Sequence, residues 1–184
     1  AGAAAGLRPP RVQRVGNAQL APRLERAARA LVAPHANRAV APQGGYFHGS
    51  SVAATRGICA AGFDPHRWRG GVYGRGQYLS ADALKAAGYA RGAQALLLCD
   101  AYLGRAWEIV RDAPPPDELA AAGGWETLSA ESMIALGYDS LVVPETDEIV
   151  VYRRFQAVPR YVIHFEVAPA PQHTEGAAAA SAAS

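Results

Sequence analysis

Three short stretches carry side chains that can do chemistry. In Tyr46-Phe47-His48-Gly49-Ser50 a histidine leaves a strand-like run and meets a glycine. Imidazole can donate to or accept from a ligand hydroxyl, and glycine lets the backbone come close to that ligand. The alternative is a structural histidine before an ordinary turn. In Gly70 to Tyr78, followed by Tyr89 eleven residues on, tyrosines offer flat faces to an aromatic ring between flexible glycines. The alternative is a surface loop whose tyrosines pack as core. Gly71, Gly74 and Gly76 do not fit a GxGxxG fingerprint and no βαβ unit follows, which excludes Rossmann and phosphate-loop readings. In Asp147-Glu148-Ile149-Val150-Val151-Tyr152 an acid opens an apolar strand and can project a carboxylate into a cleft. The alternative is a solvated turn acid.

The elements that must position these groups follow from periodicity. Arg11 to Leu20 reads as a short strand and a turn at Gly16-Asn17, with Asn17 as helix N-cap. Leu20, Leu24, Ala27, Ala28 and Leu31 then mark an amphipathic helix over 19–32, ended by Pro34. Residues 45–50 read as a strand, 51–61 as a helix closed by Gly62, and 63–78 as mostly loop. A helix over 81–90 and an apolar buried strand within 95–103 come next, then helical turns over 129–136. Residues 140–143, 148–152 and 161–167 are short β-rich runs. Helices early and strands late predict an α+β fold with a largely antiparallel sheet.

The 184 residues (19.3 kDa) suit one domain with a real core. No run of 18 apolar residues could span a membrane. Cys59 and Cys99 make neither a disulfide framework nor a close metal-ligand pair, so no metal site is expected. A net charge of +2 is far from the excess of a dedicated nucleic-acid binder. Lys85 is the one lysine, all other basic residues being arginine, which we read as the imprint of a GC-rich genome. Residues 1–7 and 169–184 are low-complexity Ala, Pro, Gly and Ser, and disorder is expected there. The chain begins at Ala1 rather than methionine, as a processed chain or a piece of a longer one would. With no targeting segment read, an intracellular location, nucleus or cytoplasm, is the expectation.

The order and surroundings of these stretches resemble the catalytic domain of the poly(ADP-ribose) polymerase family, diphtheria-toxin-like ADP-ribosyltransferases with a His-Tyr-Glu triad. The blocks are YFHGSS (46–51), GFD (62–64), GVYGRGQYLS (71–80), KAAGYA (85–90), LLLCDAYLG (96–104), GYDSLVV (137–143) and DEIVVYRRFQAVPRYVIHF (147–165). RVQRVGNAQL (11–20) also looks like the family's opening segment, so the resemblance covers about residues 8–168. It implies a split, mixed sheet flanked by helices around an NAD cleft. It implies that His48 hydrogen-bonds a ribose hydroxyl of NAD and that the Gly49 backbone holds the nicotinamide carboxamide. By the same resemblance Ser50 helps position NAD, Tyr78 and Tyr89 stack on nicotinamide, and Glu148 is the catalytic glutamate. It implies NAD as substrate without a metal. It also implies ADP-ribose transfer, single or repeated, to a protein acceptor, with a nucleic-acid acceptor also open.

One position departs from the family. Members usually carry a serine three residues before the second tyrosine, where this chain has Ala86. A lost side-chain hydrogen bond to the ligand is worth about 1 kcal/mol. That keeps open a second reading, a catalytically weak or inactive NAD-binding or interaction domain of the same fold. A third, a transferase moving phosphate from RNA to NAD, would leave a Glu-led strand without a role. In the loop between Phe63 and Tyr78, Arg67, Arg69 and Arg75 are candidates to meet NAD phosphates, a solvated basic loop being the alternative, and Trp68 is expected to pack.

Overall fold

The computed structural model describes residues 11–32, 43–90 and 94–165. The expectations for the tails, 1–7 and 169–184, and for a stop at Pro34 lie outside these residues. Eight strands form one sheet: β1 (Arg11–Arg14), β2 (Gln43–Gly49), β3 (Gln77–Ser80), β4 (Ala95–Ala101), β5 (Ala106–Glu108), β6 (Ser140–Val143), β7 (Glu148–Val151) and β8 (Ala157–His164). Their order is β1-β8-β4-β2-β3-β7-β6-β5. Among the described residues only β5 and β6 run parallel, so the sheet is mixed and mostly antiparallel. Among the described residues five α-helices accompany it: α1 (Leu20–Val32), α2 (Val52–Ala61), α3 (Ala83–Gly88), α4 (Asp117–Ala121) and α5 (Ala130–Ala135). The α+β architecture expected from the sequence is present.

Strand alternation builds two cores on the two faces of β7. Ile149 and Val151 join Phe63, Leu79, Leu97 and Cys99 in one cluster. Val150 and Tyr152 join Leu141, Val143, Leu128 and Met133 in the other. Successive side chains of a strand point to opposite faces, so one short apolar run serves both. α1 buries Leu20, Leu24, Ala28 and Leu31 against Tyr102 and Val158, as its helical spacing requires. α2 starts where Ser51 Oγ accepts from Ala54 N (3.3 Å), and it stops at Gly62, whose φ of +79° suits glycine.

Several local expectations are corrected. α1 begins at Leu20, and Asn17 sits in the turn before it. Asn17 Oδ1 accepts from Gln19 N (3.0 Å) and Nδ2 donates to Ala60 O (2.6 Å), so the side chain ties this turn to the end of α2. Gln77 and Tyr78, read as loop, open β3, a four-residue strand with glycine just before it. β5 and α4, three and five residues long, fall below the length at which periodicity is visible.

The sheet is divided at one seam. β3 pairs with β7 over four residues, Gln77↔Val151 to Ser80↔Glu148. On its other side β3 pairs with β2 at one position, Phe47↔Ser80. Beyond that pair the two half-sheets diverge, as a split sheet requires.

Candidate functional site

His48 sits on β2 immediately after the last paired residue of the seam. Its ring, rather than its backbone, meets the neighbouring strand: Nδ1 lies 3.0 Å from the Tyr78 carbonyl oxygen. A carbonyl can only accept, so Nδ1–H donates, and Nε2 is left as an acceptor. Gln77 Nε2 donates to the same carbonyl (3.2 Å); it also lies 2.9 Å from Nδ1, where it could donate only in the other tautomer. Phe63 meets the imidazole edge-on, centroids 5.2 Å apart. Burial pushes the pKa of His48 down, the bond to the Tyr78 carbonyl opposing it, so the ring is neutral at pH 7.

Tyr78 lies on β3 with its hydroxyl tied into the glycine-rich loop. It donates to Gly74 O (2.9 Å) and accepts from Tyr73 N (3.0 Å). Gly71 and Gly74 pair with each other across the turn, and a Cβ on Gly71 would lie 2.6 Å from the Tyr78 hydroxyl oxygen. The glycines let bare backbone wrap the phenol. Burial, and secondarily the negative charge of Glu148, raises the Tyr78 pKa far above its usual range. The hydroxyl is therefore a fixed anchor, not a proton carrier. Tyr73, by contrast, is core and packs beside Trp125.

Glu148 opens β7 opposite Ser80, in line with the single β2–β3 pair. Its Oε2 accepts from Lys85 Nζ (3.1 Å), which also donates to Thr146 O (2.6 Å). Both side chains are roughly three-quarters buried, 26% and 22% exposed for Lys85 and Glu148. No described side chain holds Oε1. Asp147, in a left-handed conformation (φ +51°), turns the chain into the strand.

α3 roofs this place. A Cβ on Gly49 would collide with the Ala86 carbonyl, so glycine here lets the helix seat on β2. The Ala86 side chain is buried, while Tyr89, at the end of α3, is 61% exposed. Ser50 follows Gly49 and leads into the α2 cap. Three adjoining strands and one helix thus bring His48, Gly49, Tyr78 and Glu148 to one seam, with Tyr89 at its margin. Arg67, Arg69 and Arg75 are exposed, Arg67 lying 3.7 Å from Asp64. Trp68 packs against the Phe63–Leu79 cluster, as expected. Among the described residues no group of His, Cys, Asp and Glu could hold a metal, and no helix is long and apolar enough to cross a membrane.

Lys85 and Gln77 gain a place here that sequence reasoning gave neither. Lys85 carried one signal, being the sole lysine of an arginine-rich chain. Gln77 carried none, since it lay in a segment read as loop. A family model described as the poly(ADP-ribose) polymerase catalytic domain matches residues 7–167. No curated protein matches the chain.

Proposed function

The chain belongs to the poly(ADP-ribose) polymerase catalytic-domain family, and on that premise we propose that it transfers ADP-ribose from NAD to an acceptor, releasing nicotinamide. The observation that carries the proposal is Glu148 beside the seam that also holds neutral His48, one carboxylate oxygen held by Lys85.

In this reading His48 Nε2 accepts from a ribose hydroxyl, and its fixed tautomer keeps the ring in one orientation. Glu148 Oε1 accepts from the ribose 2′-hydroxyl and stabilises positive charge that grows on the ribose as the C1′–N bond breaks. The bonding pair leaves with nicotinamide, which becomes neutral. The acceptor then bonds to C1′ and loses a proton, for which Glu148 serves as the base. The ring of Tyr78, anchored through its hydroxyl, and that of Tyr89 bracket the nicotinamide and orient its departure. The Gly49 backbone and Ser50 complete the donor site. A protein acceptor is our first reading and nucleic acid the second; single-unit transfer is the default. An intracellular setting, which supplies NAD, suits this activity.

The test is a labelled-NAD transfer assay on the chain and its Glu148→Gln and His48→Ala variants, with nicotinamide release measured in parallel. Label on an acceptor that is lost in Glu148→Gln supports transfer, and band shape separates single units from chains. Ala86 favours a second reading, binding without turnover. No label, with a His48-dependent rise in Tm on adding NAD, would select that reading.

A further inference from the structure

Gln77 opens β3 and is only 6% exposed. Its cross-strand partner is Val151 and its neighbour on the same face is Leu79, both members of the Phe63 cluster. Strand alternation calls for an apolar side chain at this place, and an amide is buried there instead. A buried amide is unfavourable unless it is bonded. Gln156 bonds at both ends, whereas Gln77 bonds through Nε2 alone among the described residues.

That nitrogen reaches the seam. Past Phe47↔Ser80 the β2 backbone supplies β3 with no further ladder partner. The Tyr78 carbonyl meets side chains instead: His48 Nδ1 at 3.0 Å and Gln77 Nε2 at 3.2 Å, the two nitrogens 2.9 Å apart. The carbonyl fixes the amide orientation, because a turned amide would set Oε1 against another acceptor with no proton between them. Two donors therefore share the two lone pairs of one oxygen. A neutral ring tolerates this arrangement. An imidazolium would bring its charge to 2.9 Å from the positive end of the amide dipole, and would hold only part of the carbonyl that stabilises it.

We propose that Gln77 is a positioning residue for His48: its amide shares the Tyr78 carbonyl and bounds the Nδ1 edge of the ring, so that the imidazole keeps one orientation, stays neutral and offers Nε2 as an acceptor. This rests on the reading of His48 as the partner of a ribose hydroxyl. The charged side chains on the elements around the ring have partners of their own. Lys85 of α3 pairs with Glu148 of β7, Asp100 of β4 with Arg160, Asp82 caps α3, and Asp64, next to Phe63, accepts from His66 N. Burial keeps the Tyr78 hydroxyl and the Cys99 thiol uncharged.

The test is a histidine side-chain NMR titration of the full chain without NAD, His48 being assigned by its absence from His48→Ala. Gln77→Met and Gln77→Ile both suit the apolar face. In each we expect the His48 pKa to rise by about 0.5. KM for NAD should rise about fivefold with kcat changed less than about twofold, because the ribose bond is weakened in ground state and transition state alike. The ratio of variant to parent KM should grow from pH 8 to pH 6, since a protonated Nε2 cannot accept. The proposal is overturned if His48 titrates identically in parent and variants, or if the KM ratio is the same at both pH values. Failure of both variants to fold would also overturn it, by making Gln77 scaffold. A parent chain that transfers nothing, yet whose His48 pKa rises in both variants, would sink the transferase reading and leave the role of Gln77 standing.

Discussion

Two polar clusters in this molecule use similar groups to opposite ends. In the turn between β7 and β8, Gln156 is wholly buried, and both its amide oxygen and its amide nitrogen are hydrogen-bonded. Its Oε1 accepts from Tyr152 N and Arg153 N (both 3.2 Å), and its Nε2 donates to Asp139 O (2.9 Å). Asp139 in turn accepts from Arg153 Nη2 and Arg105 N (both 2.9 Å). At the β2–β3 seam the polar groups are held on one side only. His48 is fixed through Nδ1 and Glu148 through Oε2, and among the described residues Nε2 and Oε1 have no partner. A satisfied cluster is scaffold, whereas a half-satisfied one at a break in a sheet is where a ligand can complete the bonding. The difference is topological. Backbone groups of the tight β7–β8 turn need partners from within the chain, while the diverging half-sheets leave room for an outside one.

The sharpest way to break this comparison is at Glu148. Glu148→Gln keeps shape and removes charge, so transfer from labelled NAD should fall by about 100- to 1,000-fold with Tm little changed. Retained activity would end the role given to that carboxylate. Gln156→Leu should do the reverse. It strands two backbone donors and one acceptor, and should lower stability by about 3 kcal/mol in a denaturant titration. A loss under about 1 kcal/mol would mean the turn cluster is not the scaffold described. Lys85→Met frees Glu148 Oε2 and should cut transfer by about tenfold, a charge-assisted bond being worth roughly 1.5–3 kcal/mol, part of it recovered by water. Tyr78→Phe removes the anchor but keeps the ring, and should cost about 1 kcal/mol of stability.

The smallest effect concerns protons at His48. Its folded-state pKa lies below the ordinary value of 6.5. Above pH 6.5 both folded and unfolded histidine are neutral, and the stability of the folded chain is undiminished. As pH falls from 6.5 towards the folded value, the unfolded state takes up the proton first and stability declines. Tm of the parent chain should therefore drop between pH 7.5 and 5.5 more than that of His48→Gln. Equal drops would show that burial does not disfavour the charged ring.

The legible parts of this protein were those that depend on near neighbours in the chain. The α1 face could be read from Leu20, Leu24, Ala28 and Leu31, because a helix repeats its contacts every three to four residues. The strand alternation of β7 and the Ser51 and Gly62 ends of α2 are equally local. Three candidate residues, His48, Tyr78 and Glu148, stood out by type and setting. Gln77 did not, because a four-residue strand with glycine just before it shows no periodicity. Asn17 makes its expected local bond, to Gln19 N, one turn before the helix; its second bond, to Ala60 O, could not be read because that partner lies 43 residues away.

Amino-acid order alone therefore determined which segments are apolar on one side, where they begin and end, and which side chains could react. Only the folded chain decided that β3 would find β7 along its length and β2 at a single pair. From that follow the His48 tautomer and the open Nε2. Only the folded chain brought Lys85 to Glu148, 63 residues apart. The reason is physical: propensity and periodicity act within a few residues, whereas hydrogen-bond satisfaction and burial are settled by whichever distant strand arrives alongside.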